Sequence, residues 1–300
     1  MDQLLALLAS VQGWITDNKI PIGPWAKAFI EWIKVFFGPI FDFISDKIGG
    51  GMDASVEWLQ SEHVPPLIFI AIFALLAYLR QRDWKIVLLV VIGFLFILNM
   101  SVDMWDNMIA TLLLVAYSTL VSLLIGIPLG ILSARRPWLY NVVAPVLDMI
   151  QTLPSFVYLV PALALFGLGM VPAVVATVLF AVAAPVRLTY LGIIHVQTAL
   201  VEAGESFGCT RWQLLTRVKL PAAMPSIMAG VTQTIMLSLS MVVIASLVGA
   251  PGLGVPVVRA LAQANVSLGF ESGLSIVALA IILDRVMKQP KPRRRIKKSA

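Results

Sequence analysis

Apolar residues run through the chain in long blocks, at 67–79, 86–100, 108–133, 140–166, 172–196, 224–249 and 272–287, separated by short polar segments. Such blocks predict membrane-spanning helices, because a straight span needs about 20 largely apolar residues. The first two are shorter than that, and so are either tilted or partly interfacial. Ahead of them, between 24 and 48, the pattern changes. Trp25, Phe29, Trp32, Ile33, Phe36, Ile40, Phe43 and Ile44 recur at helical spacing, with Lys27, Glu31, Lys34, Asp42 and Asp46 on the opposite face. This predicts an amphipathic segment over 1–64 that either lies in the membrane interface or packs as a helical hairpin on the spans, with Gly38-Pro39 breaking it in two. Gly49-Gly50-Gly51 and Pro65-Pro66 separate it from a membrane domain over 65–288, and 289–300 form a basic tail.

Composition agrees with the pattern. Of 300 residues, 59% are hydrophobic and 13% charged, with mean hydropathy +0.93, more apolar surface than a soluble domain can hide. The class expected is an all-α polytopic membrane protein. The formal charge of +6 gathers at Arg285, Lys288, Lys291, Arg293, Arg294, Arg295, Lys297 and Lys298. Beside a final span, such a run marks the cytoplasmic side and meets anionic lipid rather than nucleic acid. Walking back from a C-terminus inside, 250–271 falls outside, 202–221 inside, 167–171 outside, Arg135-Arg136 inside, Asp103 and Asp106 outside, and Arg80, Arg82 and Lys85 inside. Only Arg259 breaks the rule, so about seven spans (six to eight) are expected, with the N-terminus out. Asp2, and the lack of any basic residue before Lys19, argue against a secretory signal.

Several chemistries are excluded early. Cys209 is the single cysteine, and His63 and His195 have no ligand spacing, so no metal site and no cofactor are expected. No Gly-x-x-x-x-Gly-Lys-Ser/Thr phosphate loop occurs, so the chain is not expected to be an enzyme, and any ATP must be bound by another subunit.

The polar segment 202–221 carries the sharpest local signals. Gly208 permits a positive-φ turn that ends one short helix, and Thr210 with Gln213 forms a capping box that starts another. Leu214, Leu215 and Val218 then share a face until Leu220-Pro221 stops the helix. The spacing Glu202-Ala203-Gly204, three residues, Gly208, nine residues, Val218-x-Leu220-Pro221 resembles the EAA motif of permease subunits of bacterial ABC importers. Gly204 stands where a second Ala is typical, and Val218 where Ile is. The resemblance implies the type I ABC importer permease fold in a bacterial cytoplasmic (inner) membrane. It also implies a cytoplasmic coupling helix seated in a groove of an ATPase, with Glu202, Ala203, Gly204, Gly208, Val218, Leu220 and Pro221 as the coupling residues. The partners implied are a second copy of the chain, two ATPase subunits that hold ATP and Mg, and a separate extracytoplasmic substrate-binding protein.

Two polar groups lie within apolar blocks. Between Asp148 and Pro161, the residues Gln151, Thr152, Ser155, Phe156 and Tyr158 sit among Pro154 and Pro161, whose freed carbonyls lipid cannot satisfy. Thr232, Gln233, Thr234, Ser238 and Ser240 make a second stripe, with Met236 and Met241 as adaptable fillers. Gln151, Thr152, Ser155, Phe156, Tyr158, Gln233, Ser238 and Ser240 are the candidates to line a translocation path; the alternative is that the hydroxyls bond their own backbone and the prolines only shape packing. Asp148 and Arg187 are opposite charges at similar depth, on the order of 12 to 14 Å from their cytoplasmic ends at 1.5 Å rise. They either pair, within or across a dimer, or reach water separately.

The Asp148 to Tyr158 stretch, the helix end expected at Gly126-Ile127-Pro128-Leu129-Gly130, Pro251-Gly252-Leu253-Gly254 and the run from Leu279 to Arg285 together resemble the glycine betaine/proline/choline branch of these permeases, over about 65–288. That implies a quaternary-ammonium cargo such as glycine betaine, proline betaine, choline or carnitine, selected by an aromatic cage on the separate binding protein. The rival class is an ion-coupled secondary transporter of a small solute, which needs inverted repeats or several intramembrane carboxylates. Neither is found.

Overall fold

The computed structural model describes residues 21–61 and 64–288, so His63 and the basic tail over 289–300 lie outside the described residues. All the regular elements described are helical. The chain divides into two compact units, Met1–Phe43 and Ile44–Ala300.

The first unit is described by helix α1, Ile22–Ile44. It runs on through Pro39, so the break expected at Gly38-Pro39 is absent; a single proline removes one backbone bond while its neighbours keep theirs. Trp25, Phe29, Trp32 and Phe36 are exposed along one face, with stacked or tilted rings at Phe29–Trp32 and Trp32–Phe36.

The second unit opens with a π-helical turn, Ser45–Gly49, that passes directly into α2, Gly50–Gln60. The three glycines therefore lie inside helix, and tertiary contact explains it. A Cβ on Gly49 would stand 3.0 Å from Val171 Cγ2, Ser55 Oγ and Tyr117 Oη both donate to the Gly51 carbonyl, and Met52 is fully buried. This unit thus begins at Ile44, ahead of the boundary drawn from the sequence at 64/65.

Helices α3, Pro66–Gln81, and α4, Trp84–Met100, form a hairpin. Arg82 closes α3 in the left-handed region at φ 50°, and Asp83 caps α4 by accepting from the Lys85 N–H at 3.0 Å. At 16 and 17 residues they extend roughly 24 to 26 Å. Helix α5, Val102–Arg135, follows, capped by Ser101 and continuous through Pro128, so 126–130 is helix interior rather than a helix end. Phe69, Phe73, Phe94 and Trp105 interlock edge-to-face where α3, α4 and α5 meet.

Helices α6, Pro137–Thr152, and α7, Ser155–Phe166, meet at an angle of 99°. The apolar block 140–166 is therefore one broken helix, because Pro154 forces Leu153 into an extended conformation that α6 cannot continue through. Helices α8, Met170–Ala181, and α9, Ala183–Ile194, run on as one span. After α10, Thr198–Ser206, come the short α11, Arg211–Gln213, a π turn at Leu214–Lys219 and α12, Leu220–Ser240. The chain then passes through α13, Val242–Ser246, α14, Gly254–Gln263, and α15, Val266–Met287.

Among the described residues, four helical runs are long and apolar enough to cross a membrane: Asp103–Arg135, Met170–Ile194, Arg211–Ser240 and Val266–Met287; the bent α6–α7 pair makes five. The centre is α5, α9 and α12, which pack on one another more closely than any other set. Glycine makes this possible: a Cβ on Gly130 would stand 2.7 Å from the Val186 carbonyl oxygen, and one on Gly192 would stand 2.8 Å from Ser226 Cβ.

The two ends of the bundle are distinct. At one, Arg80 and Gln81 donate to backbone carbonyls between Arg285 and Lys288, and Pro225 near the start of α12 shares a cavity with Asp284 and Lys288. At the other, Gln60 Nε2 donates to the Asp106 carbonyl, the Leu253 N–H to Thr111 Oγ1, and the Gly169 N–H to the Val248 carbonyl.

Candidate functional site

At the basic end, 202–221 folds as a hairpin of helices. The Gly208 backbone turns left-handed at φ +74°, and its N–H donates to the Glu205 carbonyl while that of Cys209 donates to Gly204. Thr210 and Gln213 then bond reciprocally, Gln213 N–H to Thr210 Oγ1 at 3.3 Å and Thr210 N–H to Gln213 Oε1 at 2.9 Å. Gly204 is buried against the second arm: a Cβ there would lie 2.8 Å from Leu214 Cδ1 and 3.3 Å from Val218 Cγ2. The two positions that depart from the usual motif thus face each other, a smaller residue on each side of one contact.

Leu220-Pro221 does not end the second arm. The π turn admits the proline, since the Leu220 N–H reaches back five residues to the Leu215 carbonyl and Pro221 falls in the first turn of α12, where its missing N–H costs little. The second arm of the hairpin therefore runs on as unbroken helix into α12. Glu202, Ala203, Gly208 and Pro221 are exposed, Val218 and Leu220 half-buried. Sequence reasoning missed two features. Phe207 at the tip is 89% exposed, a large apolar side chain offered outward. Arg135 stands over the Trp212 ring, 5.8 Å from its centroid, and clamps the hairpin to the end of α5.

Deeper in the bundle, Arg187 Nη2 of α9 donates to Asp148 Oδ1 of α6 at 2.5 Å. Asp148 lies four residues before the end of α6 and is followed by Gln151 and Thr152, which are also exposed, as is Phe156; Ser155 is half-buried. Tyr158 is instead buried, and its hydroxyl donates to the Leu153 carbonyl at 3.0 Å, one of the groups freed at the proline break. Toward the basic end, Tyr140 and Tyr190 stack with centroids 3.5 Å apart, a second tie between α6 and α9.

The stripe on α12 divides between faces. Gln233 and Ser240 are exposed, whereas Thr234 and Ser238 are buried, as positions four apart on a helix must share a side. Thr234 bonds the Gly230 carbonyl, and Ser238 Oγ has no partner. Gln233 lines a cavity of about 420 Å³ with Asp284 and Lys288. The chief neighbours of α12 are α9, α5, α8 and α15, while α6 and α7 pack on α5 and α8. Tyr158 and Ser238 are thus interior residues, and the two polar groups are carried on separate packing faces rather than gathered at one place.

Residues 126–296 match the family described as the binding-protein-dependent transport system inner membrane component, which covers more than half of the chain. The chain belongs to this family. The permease is 46% identical over 270 residues to the glycine betaine/carnitine transport permease protein GbuB of Listeria monocytogenes, covering 89% of this chain and 94% of that protein. It is 41% identical over 283 residues to the glycine betaine transport system permease protein OpuAB of Bacillus subtilis, covering 94% and 98%. Among solved structures, an inward-facing form of the MetNI methionine ABC transporter aligns with TM-score 0.53 and 24% identity, over 59% of this chain and 91% of that one, a likeness of fold. The permease is therefore a multi-pass inner-membrane component of an ABC transporter, a non-catalytic transport subunit.

Proposed function

We propose that the permease imports a quaternary-ammonium compatible solute, of the glycine betaine, proline betaine, choline or carnitine kind, as a homodimer driven by two ATPase subunits. The ATPases dock on the 202–221 hairpin and hold ATP and Mg, and a separate extracytoplasmic protein delivers the solute. The relatives named for glycine betaine support the cargo. The observation that carries the mechanism is the hairpin itself: Glu202 and Ala203 are exposed on its first arm and Phe207 at its tip, its turn is fixed by Gly208, and its second arm continues unbroken into α12. The open face of Gln151, Thr152 and Phe156 belongs to the path.

Seven spans accompany this reading, with α3 and α4 crossing as a short hairpin, the N-terminus out and the C-terminus in. Its support is the gathering of Arg80, Arg135, Arg217 and Lys288 toward the end of the bundle that bears the hairpin, as cytoplasmic loops require. The test is reconstitution of the permease with its ATPase and binding protein in vesicles. ATP-dependent accumulation of labelled glycine betaine is expected, and accumulation driven by an ion gradient without the ATPase would overturn the proposal.

A further inference from the structure

The ion pair between α6 and α9 is less complete than a structural clasp. Nε and Nη2 form one edge of a guanidinium, able to grip both oxygens of a carboxylate. Here Asp148 takes only Nη2, while Nε is buried and bonded to nothing. A buried donor left idle costs free energy, so its persistence calls for an explanation in what the site does. On the other side, the Asp148 side chain is 64% exposed in the protomer and Arg187 31%, just before the 99° break and beside the exposed Gln151 and Thr152. Leu147 and Val186, buried next to the two charges, back the pair from behind. The pair is thus flanked by buried neighbours on its own helices and is itself open to solvent.

We propose that Asp148 and Arg187 form an exchange site for a zwitterion within the translocation path, an inference that rests on the compatible-solute reading above. The solute's carboxylate displaces that of Asp148 and takes the whole Nε–Nη2 edge of Arg187. The released Asp148 carboxylate receives the solute's quaternary ammonium, which donates no hydrogen bond and is held by charge alone. No net charge is added to the membrane interior, and each protein charge keeps an opposite partner throughout, which avoids the cost of a lone ion at that depth. The idle Nε gains its partner only when solute is bound. A solute that carries both charges a few bonds apart fits this site, whereas a plain cation leaves Arg187 with nothing to accept its donors.

The test uses the complete transporter in vesicles, with labelled glycine betaine as the probe. Arg187→Lys keeps the charge but removes the two-donor edge, and is expected to lower uptake at least about tenfold, the scale of one lost charge-assisted bond, with folded yield retained. The charge exchange, Asp148→Arg with Arg187→Asp, restores an ion pair in reversed orientation, so it should recover folded yield without recovering uptake. Wild-type uptake in either variant would make the pair a structural clasp and overturn the proposal. Should both variants fail to fold, a structure of the wild-type transporter turning over betaine decides: betaine between a parted Asp148 and Arg187 supports the site, and a closed pair with betaine bound elsewhere refutes it. If the wild type accumulates no betaine at all, the failure belongs to the cargo assignment.

Discussion

The membrane core and the 202–221 hairpin both bring helices together on glycine, but they place different atoms against it. Within the bundle, a methyl group on Gly130 would meet the Val186 backbone oxygen and Thr189 Cβ, both at 2.7 Å. In the hairpin, a methyl group on Gly204 would meet Leu214 Cδ1 at 2.8 Å, the far end of a flexible side chain. The first contact is fixed by two backbones and the second can yield. The core is therefore built as one body, while the hairpin's packing tolerates change. If the hairpin is where the ATPases dock, as proposed above, that division lets a push pass from one end to the other without deforming the core between.

The largest effect is expected where no atom can move away. Gly130→Ala should force α5 from α9 and destabilise the permease by about 3 kcal/mol, toward the upper range for overpacking. Folded yield after detergent extraction, read by size exclusion, should fall severalfold. Normal yield would mean the helices can separate at this point and that the core is not one body.

Gly208→Pro separates the two regions from the other side. Proline cannot adopt φ +74° and removes the N–H that bonds the Glu205 carbonyl at 2.9 Å, yet the damage is confined to an exposed turn. Yield should stay near wild type while solute-stimulated ATP hydrolysis by the partner is abolished. Retained stimulation would remove the hairpin from the coupling mechanism. Thr111→Val tests the end of the bundle away from the hairpin. It leaves the buried Leu253 N–H without its 2.8 Å acceptor, at a cost of about 1 to 3 kcal/mol. Thermal unfolding in detergent should occur several degrees lower.

The sequence revealed the hairpin because its signals are local: a glycine for the turn at 208, and a four-residue Thr-x-x-Gln box starting at 210. It misled where local punctuation met tertiary contact. Gly49-Gly50-Gly51 reads as a break, but Val171 and Tyr117 hold it in helix; Pro221 reads as a stop, but a π turn absorbs it. Pro154 was legible as a proline in a span, while the 99° angle at the break and the Tyr158 hydroxyl that satisfies the Leu153 carbonyl there are tertiary features. The stripe from Thr232 to Ser240 could be seen as polar from its composition. Which members face inward is set by α9 and α5, and no feature of the stripe itself records those neighbours.

The smallest expected effect is the mirror of the first. Gly204→Ala makes the same chemical change as Gly130→Ala, but in α10 the alanine gains about 1 kcal/mol of helix propensity over glycine. Against that stands the displacement of Leu214 Cδ1 by a few tenths of an ångström, and a rotation of about 30° off its rotamer costs roughly 0.5 to 1.5 kcal/mol. The two terms nearly cancel, so thermal stability should move by no more than a degree or two, and stimulated ATP hydrolysis should remain. Adding Val218→Ala relieves the 3.3 Å contact on the same surface, and the double variant should then be more stable than the sum of the two single changes. Strict additivity would mean that Gly204 and Val218 do not share a contact, and that the close packing of the hairpin arms is looser than its geometry describes.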